Sequence, residues 1–373
     1  MFKNKIKSLF AKADIKINGS RPWDIKVNDS RFYDRAAVYG IVGLGDAYVD
    51  GWWDCDALDQ LFYRFIIADI PANLKYHWTV LLNYLRERIF NLQTIRLSFL
   101  VGEQHYDLGN ELFKNTLDKK MAYSCGYWKN AKTLDEAQEA KLDLICKKIG
   151  LKPGMRVLDI GCGWGSFVKY TAEKYRVRVV GITISKEQVK YVKEICRGLP
   201  VEVRLQDYRS LNEKFDRIVS VGMFEHVGYK NYCEYMTVVE RCLKDDGLFL
   251  LHNFGGKDPA PTLNHPETKW IEKYIFPRMC FPSLGQIISA SDGLLIAEDI
   301  HNFGADYDQT LMSWFKNFNK NWPKLKSKYG DRFYRIWKYY LLSGAGGFRS
   351  RKYQLWQIVF SKNGVPGGYK SVR

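Results

Sequence analysis

The sequence predicts an α/β protein, in which a doubly wound, Rossmann-like domain follows a small mixed α/β domain. The first observation is alternation, because apolar strand-like runs alternate with helix-forming segments from about residue 133 to residue 252. The second is the run 157–165, where an apolar strand leads into glycines at alternate positions. The third is size and composition, since 373 residues, 46% of them hydrophobic, are enough for one large domain and a smaller one.

Residues 1–95 are predicted to form the small domain. Residues 2–13 fit an amphipathic helix, with Phe2, Ile6, Leu9 and Phe10 on one face and lysines over the rest. Such a helix either lies on a membrane surface or packs on its own domain. The remaining elements predicted here are, in order, strands at 15–17 and 24–27, loop or short helix at 40–54, and helices at 56–70 and 74–91.

A connection at 96–106 is predicted to lead into the second domain, residues 107–373, which begins with a helix near Asp107. Strands separated by helices indicate a parallel sheet covered on both faces. The predicted core elements are helix 133–149, strand 155–160, helix 165–175, strand 177–184, helix 185–197, strands 201–205 and 215–222, helix 230–243 and strand 247–252. The elements predicted beyond it are a strand at 294–299, a long helical zone at 308–342 and a final strand at 353–361.

The glycine loop after the first core strand indicates a ligand site. Gly161, Gly163 and Gly165 follow Asp159, and a chain without Cβ atoms can turn sharply and approach a ligand closely. Open α/β sheets bind nucleotide-like ligands at this end of their strands. An aspartate before G-x-G-x-G is typical of methyltransferases that use S-adenosylmethionine (SAM), whereas dinucleotide sites need G-x-G-x-x-G. A plain tight turn is the alternative explanation.

The ends of the next two strands offer polar groups to the same ligand. Many methyltransferases place a carboxylate after the second strand, where it holds the ribose hydroxyls. This chain has Thr183, Ser185 and Gln188 in that region, which supply neutral donors and acceptors instead. Gln206 and Asp207 follow the third strand and are predicted to face the adenine edge.

The charge balance predicts an acidic partner. The chain has 57 Lys and Arg against 41 Asp and Glu, a net charge of +16, which suits nucleic acid or an anionic membrane. The Asn/Asp-Pro-Pro-aromatic motif of amide and amine methyltransferases does not occur, and neither does the Pro-Cys pair of pyrimidine C5 methyltransferases. A membrane is therefore favoured, no nucleic-acid partner is expected, and an RNA methyltransferase remains a weaker alternative.

The cysteines predict neither disulfides nor a metal site. All eight are scattered, without a C-x-x-C pair or Cys/His metal-ligand spacing, which is typical of reduced thiols in the cytoplasm. The lysine-rich start has no apolar signal-peptide core, and no apolar run approaches the roughly 20 residues of a membrane span.

Three segments in order carry a closer resemblance. Residues 123–128 (YSCGYW), 223–228 (MFEHVG) and 301–308 (HNFGADYD) resemble the cyclopropane synthase family, which comprises cyclopropane-fatty-acyl-phospholipid synthases and mycolic acid cyclopropane synthases. The resemblance covers nearly the whole chain, including the small N-terminal domain, which the mycolic acid enzymes lack. Several motifs in the right order make it more specific than the glycine loop alone.

The resemblance implies a reaction and a set of site residues. SAM would supply a one-carbon unit to the cis double bond of an unsaturated phospholipid acyl chain, and a bound bicarbonate would act as base while a cyclopropane ring closes. It also places Tyr123 and Ser124 in the SAM site. The bicarbonate cage carried over by motif consists of Cys125, Glu225, His252, Phe254 and Tyr307.

The residue types suit this cage. Glu225 and bicarbonate would repel each other unless a proton lies between them, so we expect the bicarbonate O–H to donate to Glu225. His252 and Tyr307 would donate to the other oxygens, with the backbone at Cys125 and Phe254 completing the cage. A satisfied core histidine and a buried structural tyrosine are the alternative roles for His252 and Tyr307.

Two positions depart from the family pattern. Phe254 stands where the family often has isoleucine, which leaves a backbone contact possible but changes the shape of the pocket. Gly344 stands where some members have cysteine, so no thiol role at that position applies to this chain.

The resemblance also implies partners and location. We expect a homodimer at the cytoplasmic face of the cell membrane, acting on unsaturated phospholipids in an anionic surface. Two alternatives stay open: methylation of the same alkene to a branched chain, and a lipid-binding protein with an inactive methyltransferase domain. The intact glycine loop together with Glu225, His252 and Tyr307 argues against the second.

Overall fold

The computed structural model describes residues 2–70, 91, 93, 109–261, 267–277 and 279–373, with the backbone alone at 267 and 268. The predicted helix at 74–91, apart from its last residue, and the predicted connection at 96–106 lie outside these residues. The boundaries of the small domain therefore stay a prediction. Contacts divide the chain into two compact units, one of residues 1–90, 261–277 and 307–353, the other of residues 91–260, 278–306 and 354–373.

The regular elements of the described residues follow in chain order. The helices are α1 (Phe2–Lys12), α2 (Arg31–Val49), α3 (Leu58–Ile67), α4 (Asn110–Thr116), α5 (Leu134–Lys148), α6 (Ser166–Tyr175), α7 (Lys186–Ile195), α8 (Tyr232–Cys242), α9 (Glu267–Tyr274), α10 (Leu284–Ser291) and α11 (Asp306–Arg349). The strands are β1 (Lys26–Val27), β2 (Trp53–Asp54), β3 (Arg156–Ile160), β4 (Arg178–Thr183), β5 (Val201–Leu205), β6 (Phe215–Val221), β7 (Leu243–Gly256), β8 (Ile296–Asn302) and β9 (Tyr353–Ser361).

A seven-stranded sheet forms the centre of the second unit, with strand order β5-β4-β3-β6-β7-β9-β8. Strands β3 to β7 are paired in parallel, while β8 and β9 pair antiparallel. The order reverses between β3 and β6, which is where open α/β sheets form a ligand crevice. The predicted fold class is confirmed, and each predicted core strand has its counterpart in the sheet.

Both faces of the sheet are covered, because successive side chains of a strand point to opposite sides. Val157 and Val179 pack in one apolar cluster with residues of α5 and α6. Leu158 and Val180, one residue further along each strand, pack in another with residues of α8 and α10. The continuous apolar runs of β3 and β4 follow from this double burial.

The first unit has an aromatic core. Phe10 of α1 packs on Phe32 and Phe65, with ring centroids 6.2 and 4.8 Å apart, and Ile6 and Leu9 are buried on the same side of α1. The exposed residues of α1 are Phe2, its four lysines, Asn4, Ser8 and Ala11. The helix predicted at 2–13 is confirmed, and burial of its apolar face favours packing on its own domain over membrane contact through that face.

The prediction of loop or short helix at 40–54 is wrong over its first ten residues. Helix α2 runs on to Val49, with a break in its backbone at Gly40, where φ is 60°. Glycine is frequent here for packing reasons, since a Cβ on Gly45 would come within 2.4 Å of the Trp270 ring in the same unit. No described helix is long and apolar enough to cross a membrane.

Candidate active site

The glycine loop leaves the carboxyl end of β3 with a backbone that only glycine adopts readily. Gly161, Gly163 and Gly165 have φ values of 86°, 53° and 80°. A Cβ on Gly161 would lie 2.7 Å from the Met223 side chain, and one on Gly165 would lie 2.8 Å from Val192. Apart from its two chain neighbours, a Cβ on Gly163 would meet no atom of the described residues within 4 Å. The outer glycines therefore serve packing, whereas Gly163 borders open space.

Asp159, at the end of β3, is buried in the protein. Burial raises the pKa of its carboxyl to about 7, and the nearby Lys141 ammonium opposes that shift. Lys141 is itself buried on α5, and burial lowers the pKa of its ammonium to about 8. Its Nζ donates to Ser124 Oγ at 2.9 Å, so the predicted SAM residue Ser124 is tied to this pair of buried charges.

The polar residues at the end of β4 are bonded to one another. Thr183 Oγ1 donates to Gln188 Oε1 at 2.6 Å, and Ser185 caps α7 by accepting from the Gln188 backbone N–H at 3.3 Å. Gln188 Nε2 is buried and has no partner among the described residues. A buried amide donor without a partner suits the ribose hydroxyls of SAM, which can accept from it.

The two residues after β5 are bonded locally. Asp207 accepts from the Arg209 backbone N–H at 3.0 Å and pairs with the Arg209 guanidinium at 3.0 Å. Gln206 Nε2 donates to Ser210 Oγ at 3.1 Å. These bonds fix the turn after β5, and the predicted contact of both residues with adenine stays a prediction.

An aromatic group lies beside the glycine loop. The Phe113 ring packs between Trp164 and Tyr123, at centroid distances of 4.2 and 5.3 Å. Trp164 Nε1 donates to Asn110 Oδ1 at 2.9 Å, which holds α4 against the loop. Sequence reasoning named Tyr123 but missed Phe113 and Asn110, since neither belongs to a motif.

Glu225 lies in the turn after β6 and is completely buried. Its Oε1 accepts from the Phe254 backbone N–H at 2.7 Å, while its Oε2 has no partner among the described residues. Burial raises the pKa of this carboxyl to about 7, against the lowering effect of the backbone N–H groups. The free oxygen is available for a proton donor.

His252 lies on β7, opposite Val221 of β6 in the sheet register. Its Nδ1 is 3.3 Å from Gln357 Nε2, and its Nε2 is buried without a partner in the described part of the chain. Burial holds the pKa of the imidazole well below its usual value, so the ring is neutral. With the Gln357 amide in this orientation, its nitrogen donates to Nδ1, and the ring proton then lies on Nε2, which is a donor.

Of the five predicted cage residues, His252 and Phe254 lie on β7, and Glu225 lies in the turn that follows the neighbouring strand β6. The Phe254 N–H joins Glu225 to β7, and the Gly222 N–H donates to the His252 carbonyl at 2.8 Å. Cys125 is buried in the same unit, next in the chain to Ser124, and its Sγ donates to the Gly126 carbonyl at 3.1 Å. This places a carboxylate oxygen and an imidazole N–H, both without partners in the described part of the chain, at the end of the sheet that carries the glycine loop.

Tyr307 belongs to the other unit, at the start of α11. Its side chain is buried, and its ring packs on Phe348 at 4.5 Å and on Trp314 at 5.9 Å. Arg349 holds this part of α11 by binding Asp308 at 2.8 Å. The membership of Tyr307 in the cage stays a prediction.

The comparisons with known proteins identify the family. Residues 95–358 match the family described as mycolic acid cyclopropane synthetase. The chain is 52% identical over 365 residues to the cyclopropane-fatty-acyl-phospholipid synthase of Escherichia coli (strain K12), with 98% of this chain and 94% of that protein covered. The chain belongs to the cyclopropane synthase family. It is therefore an enzyme of the SAM-dependent methyltransferase class, and the family acts by SAM-dependent methylene transfer to unsaturated lipid.

Solved cyclopropane synthases have the same fold. The cyclopropane synthase MmaA2 of Mycobacterium tuberculosis is 30% identical, with a TM-score of 0.68 over 73% of this chain and all of that one. A mycolic acid cyclopropane synthase solved with SAH and CTAB is 33% identical, with a TM-score of 0.67 over 71% of this chain and 98% of that one. Binding of SAH by that protein supports SAM as the co-substrate of this cyclopropane synthase.

Proposed function

We propose that this enzyme transfers a methylene group from SAM to the cis double bond of an unsaturated phospholipid acyl chain and forms a cyclopropane ring, with bound bicarbonate as base. The observation that carries the proposal is a pair of buried atoms, Glu225 Oε2 and His252 Nε2, neither of which has a partner among the residues that the structure describes. One is an acceptor and the other a donor, which matches an anion that carries a single proton. The relative that is 52% identical to this chain is a cyclopropane-fatty-acyl-phospholipid synthase, and its reaction is the one proposed here.

The residues fit bicarbonate in chemical terms. Glu225 would accept the bicarbonate O–H, because two buried anions repel each other unless a proton lies between them. The neutral His252 would donate from Nε2 to another oxygen, since Gln357 occupies its Nδ1. Cys125, Phe254 and Tyr307 would complete the cage. When bound, SAM supplies the carbon of the ring and bicarbonate takes up the proton that this carbon loses.

The protein's main contribution is to position the reactants and exclude water. An alkene is a weak nucleophile, so it must be held about 3 Å from the carbon that it attacks. The transfer leaves a cation on the acyl chain, which water would trap as an alcohol. Burial of Glu225 and His252 keeps water away from this point. A small held anion also protects the Glu225 carboxylate, which would otherwise attack the cation and become alkylated.

The SAM site proposed here runs along the carboxyl ends of the parallel strands. Thr183, Ser185 and Gln188 after β4, with Gln206 and Asp207 after β5, would hold the nucleoside. Tyr123 and Ser124 would lie near the methionine end, on the β6 side of the glycine loop formed by Gly161, Gly163 and Gly165. Ser124 Cβ lies 3.8 Å from the position that a Cβ on Gly222 would take, just after β6.

Labelled product analysis tests the reaction. The enzyme is incubated with SAM carrying a trideuterated methyl group and either vesicles of unsaturated phospholipid or RNA. Ring closure removes one hydrogen from the added carbon, so a cyclopropane product keeps two deuteriums. A methyl-branched product that loses its proton elsewhere keeps three. Label in RNA, or no label in lipid, would contradict the proposal.

The partners belong to the proposal as well. The net charge of +16 supports work on phospholipids in an anionic surface, at the cytoplasmic face of the cell membrane. The homodimer that the family resemblance implies is retained as part of the proposal. Equilibrium sedimentation of the whole enzyme measures that state, and a monomer at micromolar concentration would contradict it.

A further inference from the structure

Helix α5 holds the segment 122–127 through two buried polar side chains. Gln138 and Lys141 lie three residues apart on the helix, and both are almost completely buried. Gln138 Nε2 donates to the Ser124 carbonyl at 2.8 Å, and Lys141 Nζ donates to Ser124 Oγ at 2.9 Å. Both bonds reach the same residue, so α5 fixes the backbone and the side chain of Ser124 together.

The bond from Lys141 decides what the Ser124 hydroxyl can do. An ammonium group donates and never accepts, so Ser124 Oγ must be the acceptor of this bond. The hydroxyl hydrogen is then left for a second partner. The positive charge of the Lys141 ammonium makes the hydrogen of the Ser124 hydroxyl more acidic, so this hydrogen suits an anionic acceptor.

Lys141 is also a buried cation that a neutral hydroxyl does not neutralise. A buried charge is costly unless an opposite charge stands near it. The carboxyl groups of Asp118 and Asp159 attract the Lys141 ammonium without a hydrogen bond to it. Its one described hydrogen bond is to Ser124. The site therefore favours an anion at Ser124.

We propose that Lys141 is a positioning residue for the methionine carboxylate of SAM, aiming the Ser124 hydroxyl at that group and placing a positive charge behind it. The inference rests on the SAM site proposed above. Ser124 lies beside the end of β6, whereas the residues proposed for the nucleoside follow β4 and β5 on the other side of β3. The amino-acid end of SAM is the end that carries a carboxylate, which gives the buried cation its partner.

Two ligands that differ only at the amino-acid end test this. S-adenosylhomocysteine carries the carboxylate, and 5′-methylthioadenosine shares the nucleoside and the thioether but lacks the amino-acid end. Replacing Lys141→Met keeps the length of the side chain and removes its charge. By calorimetric titration we expect this variant to bind S-adenosylhomocysteine roughly 10- to 100-fold more weakly, and methylthioadenosine within about twofold of the wild type.

Controls separate this role from a structural one. Lys147→Met makes the same change on the exposed side of α5 and should leave both affinities unchanged. Ser124→Ala removes the hydroxyl while Lys141 stays, and should also weaken S-adenosylhomocysteine selectively. The double variant should lose less than the sum of the two single losses, since both act on one carboxylate.

The outcomes are distinct. Equal weakening of both ligands by Lys141→Met would mean that the lysine only holds the fold, and unchanged binding of S-adenosylhomocysteine would mean that it has no role; either result overturns the inference. If Lys141→Met fails to fold, Ser124→Ala carries the same selective prediction. A wild-type enzyme that binds neither ligand would instead contradict the SAM site itself.

Discussion

At the scale of single residues, Glu225 carries the most chemistry. One of its oxygens is held by the Phe254 N–H and the other has no partner among the described residues. Glu225→Gln keeps the bonded oxygen and replaces the free one by an amide that cannot accept a proton. We expect kcat/KM to fall roughly 100-fold or more, the scale of a positioned acid–base group, while SAM affinity is retained.

A second test variant is Tyr307→Phe, for which the proposed cage predicts a similar fall in kcat/KM. Turnover is measured with and without added bicarbonate, and SAM binding by titration. Near-normal turnover of Glu225→Gln in bicarbonate-depleted buffer would show that the cage is assigned wrongly.

The raised pKa of Glu225 makes a second prediction, about stability. A carboxyl with a folded-state pKa of about 7 binds its proton more tightly in the folded state than in the unfolded state. The stabilisation that this proton gives to the folded state is therefore fully present below about pH 4.5, and it is lost as pH rises through about 7. Glu225→Gln has no such proton to lose.

Denaturant unfolding of the wild type and Glu225→Gln at pH 5 and pH 8 measures this effect. The difference in unfolding free energy should shift in favour of the variant by about 2–3 kcal/mol between the two pH values. Asp159, whose pKa is also raised to about 7, is present in both proteins and cancels. If the difference in unfolding free energy between the two proteins does not change with pH, burial does not raise the pKa of Glu225.

Gly163 tests the cofactor site, because a side chain there meets open space. Gly163→Val should weaken SAM binding sharply in a calorimetric titration, since the new side chain would occupy the space in which SAM is proposed to bind. Valine is also strained at a φ of 53°, at a cost of roughly 1–2 kcal/mol. Gly150→Val is a matched control, because Gly150 has a φ of 58° and equally open surroundings.

Both glycine variants should lose similar stability, and only Gly163→Val should lose affinity for SAM. An unchanged affinity in Gly163→Val, or an equal loss in Gly150→Val, would contradict the assignment of the loop.

At the scale of elements, α1 changes the expectation for the membrane. Its apolar side is buried on α2 and α3, so deleting the helix would disturb the first unit. Its lysines remain exposed, and charge reversal of Lys5, Lys7 and Lys12 to Glu tests their role without touching the core. We expect weaker binding to anionic vesicles at unchanged melting temperature, because each basic residue near such a surface contributes about 1 kcal/mol.

The same charge change at Lys320, Lys324 and Lys328, which are exposed on α11, is the control. Co-sedimentation of both triple variants with anionic vesicles gives the comparison. If the two lose binding equally, net charge acts rather than α1, and if neither loses binding, the lysines of α1 do not face the membrane.

The elements also show what a sequence can predict. Strands β3, β4, β6 and β7 were predictable because burial on both faces gives mainly apolar runs with glycines and helices between them. The edge strand β5 was predictable because apolar and charged residues alternate along it. The second half of α2 was not, since glycines that allow close packing, such as Gly45 against Trp270, look like loop residues in a sequence. Whether such a glycine belongs to a packed helix or to a loop depends here on the Trp270 ring, which is more than 200 positions away in the chain.

The same limit applies to the site. Glu225 lies in a recognisable motif that follows a strand, and the family resemblance implied its role and that of His252 at the end of the next predicted strand. Gln357 and Lys141 could not be found in this way, because each acts through another residue, 105 and 17 positions away respectively. A side chain that positions another leaves no pattern of its own in the sequence.

At the scale of the whole molecule, the net charge of +16 acts on every encounter with a lipid surface. Exposed charges attract an anionic membrane, and salt screens that attraction over roughly 10 Å at moderate ionic strength. Apolar contacts add a term that salt does not remove. The double bond of the proposed substrate lies deep in the bilayer, so the proposed reaction requires the enzyme to stay at the surface long enough to lift an acyl chain.

We therefore expect tight binding to anionic vesicles, weaker binding to neutral vesicles, and a loss of binding to anionic vesicles as salt rises. Co-sedimentation of the whole enzyme with both vesicle types across a salt series measures this, and SAM affinity across the same series checks that the active site is intact. Binding that persists on anionic vesicles at high salt would measure the apolar term. Equal binding to neutral and anionic vesicles at every salt concentration would contradict the expected electrostatic attraction. The net charge of the chain would then not explain its binding to lipid.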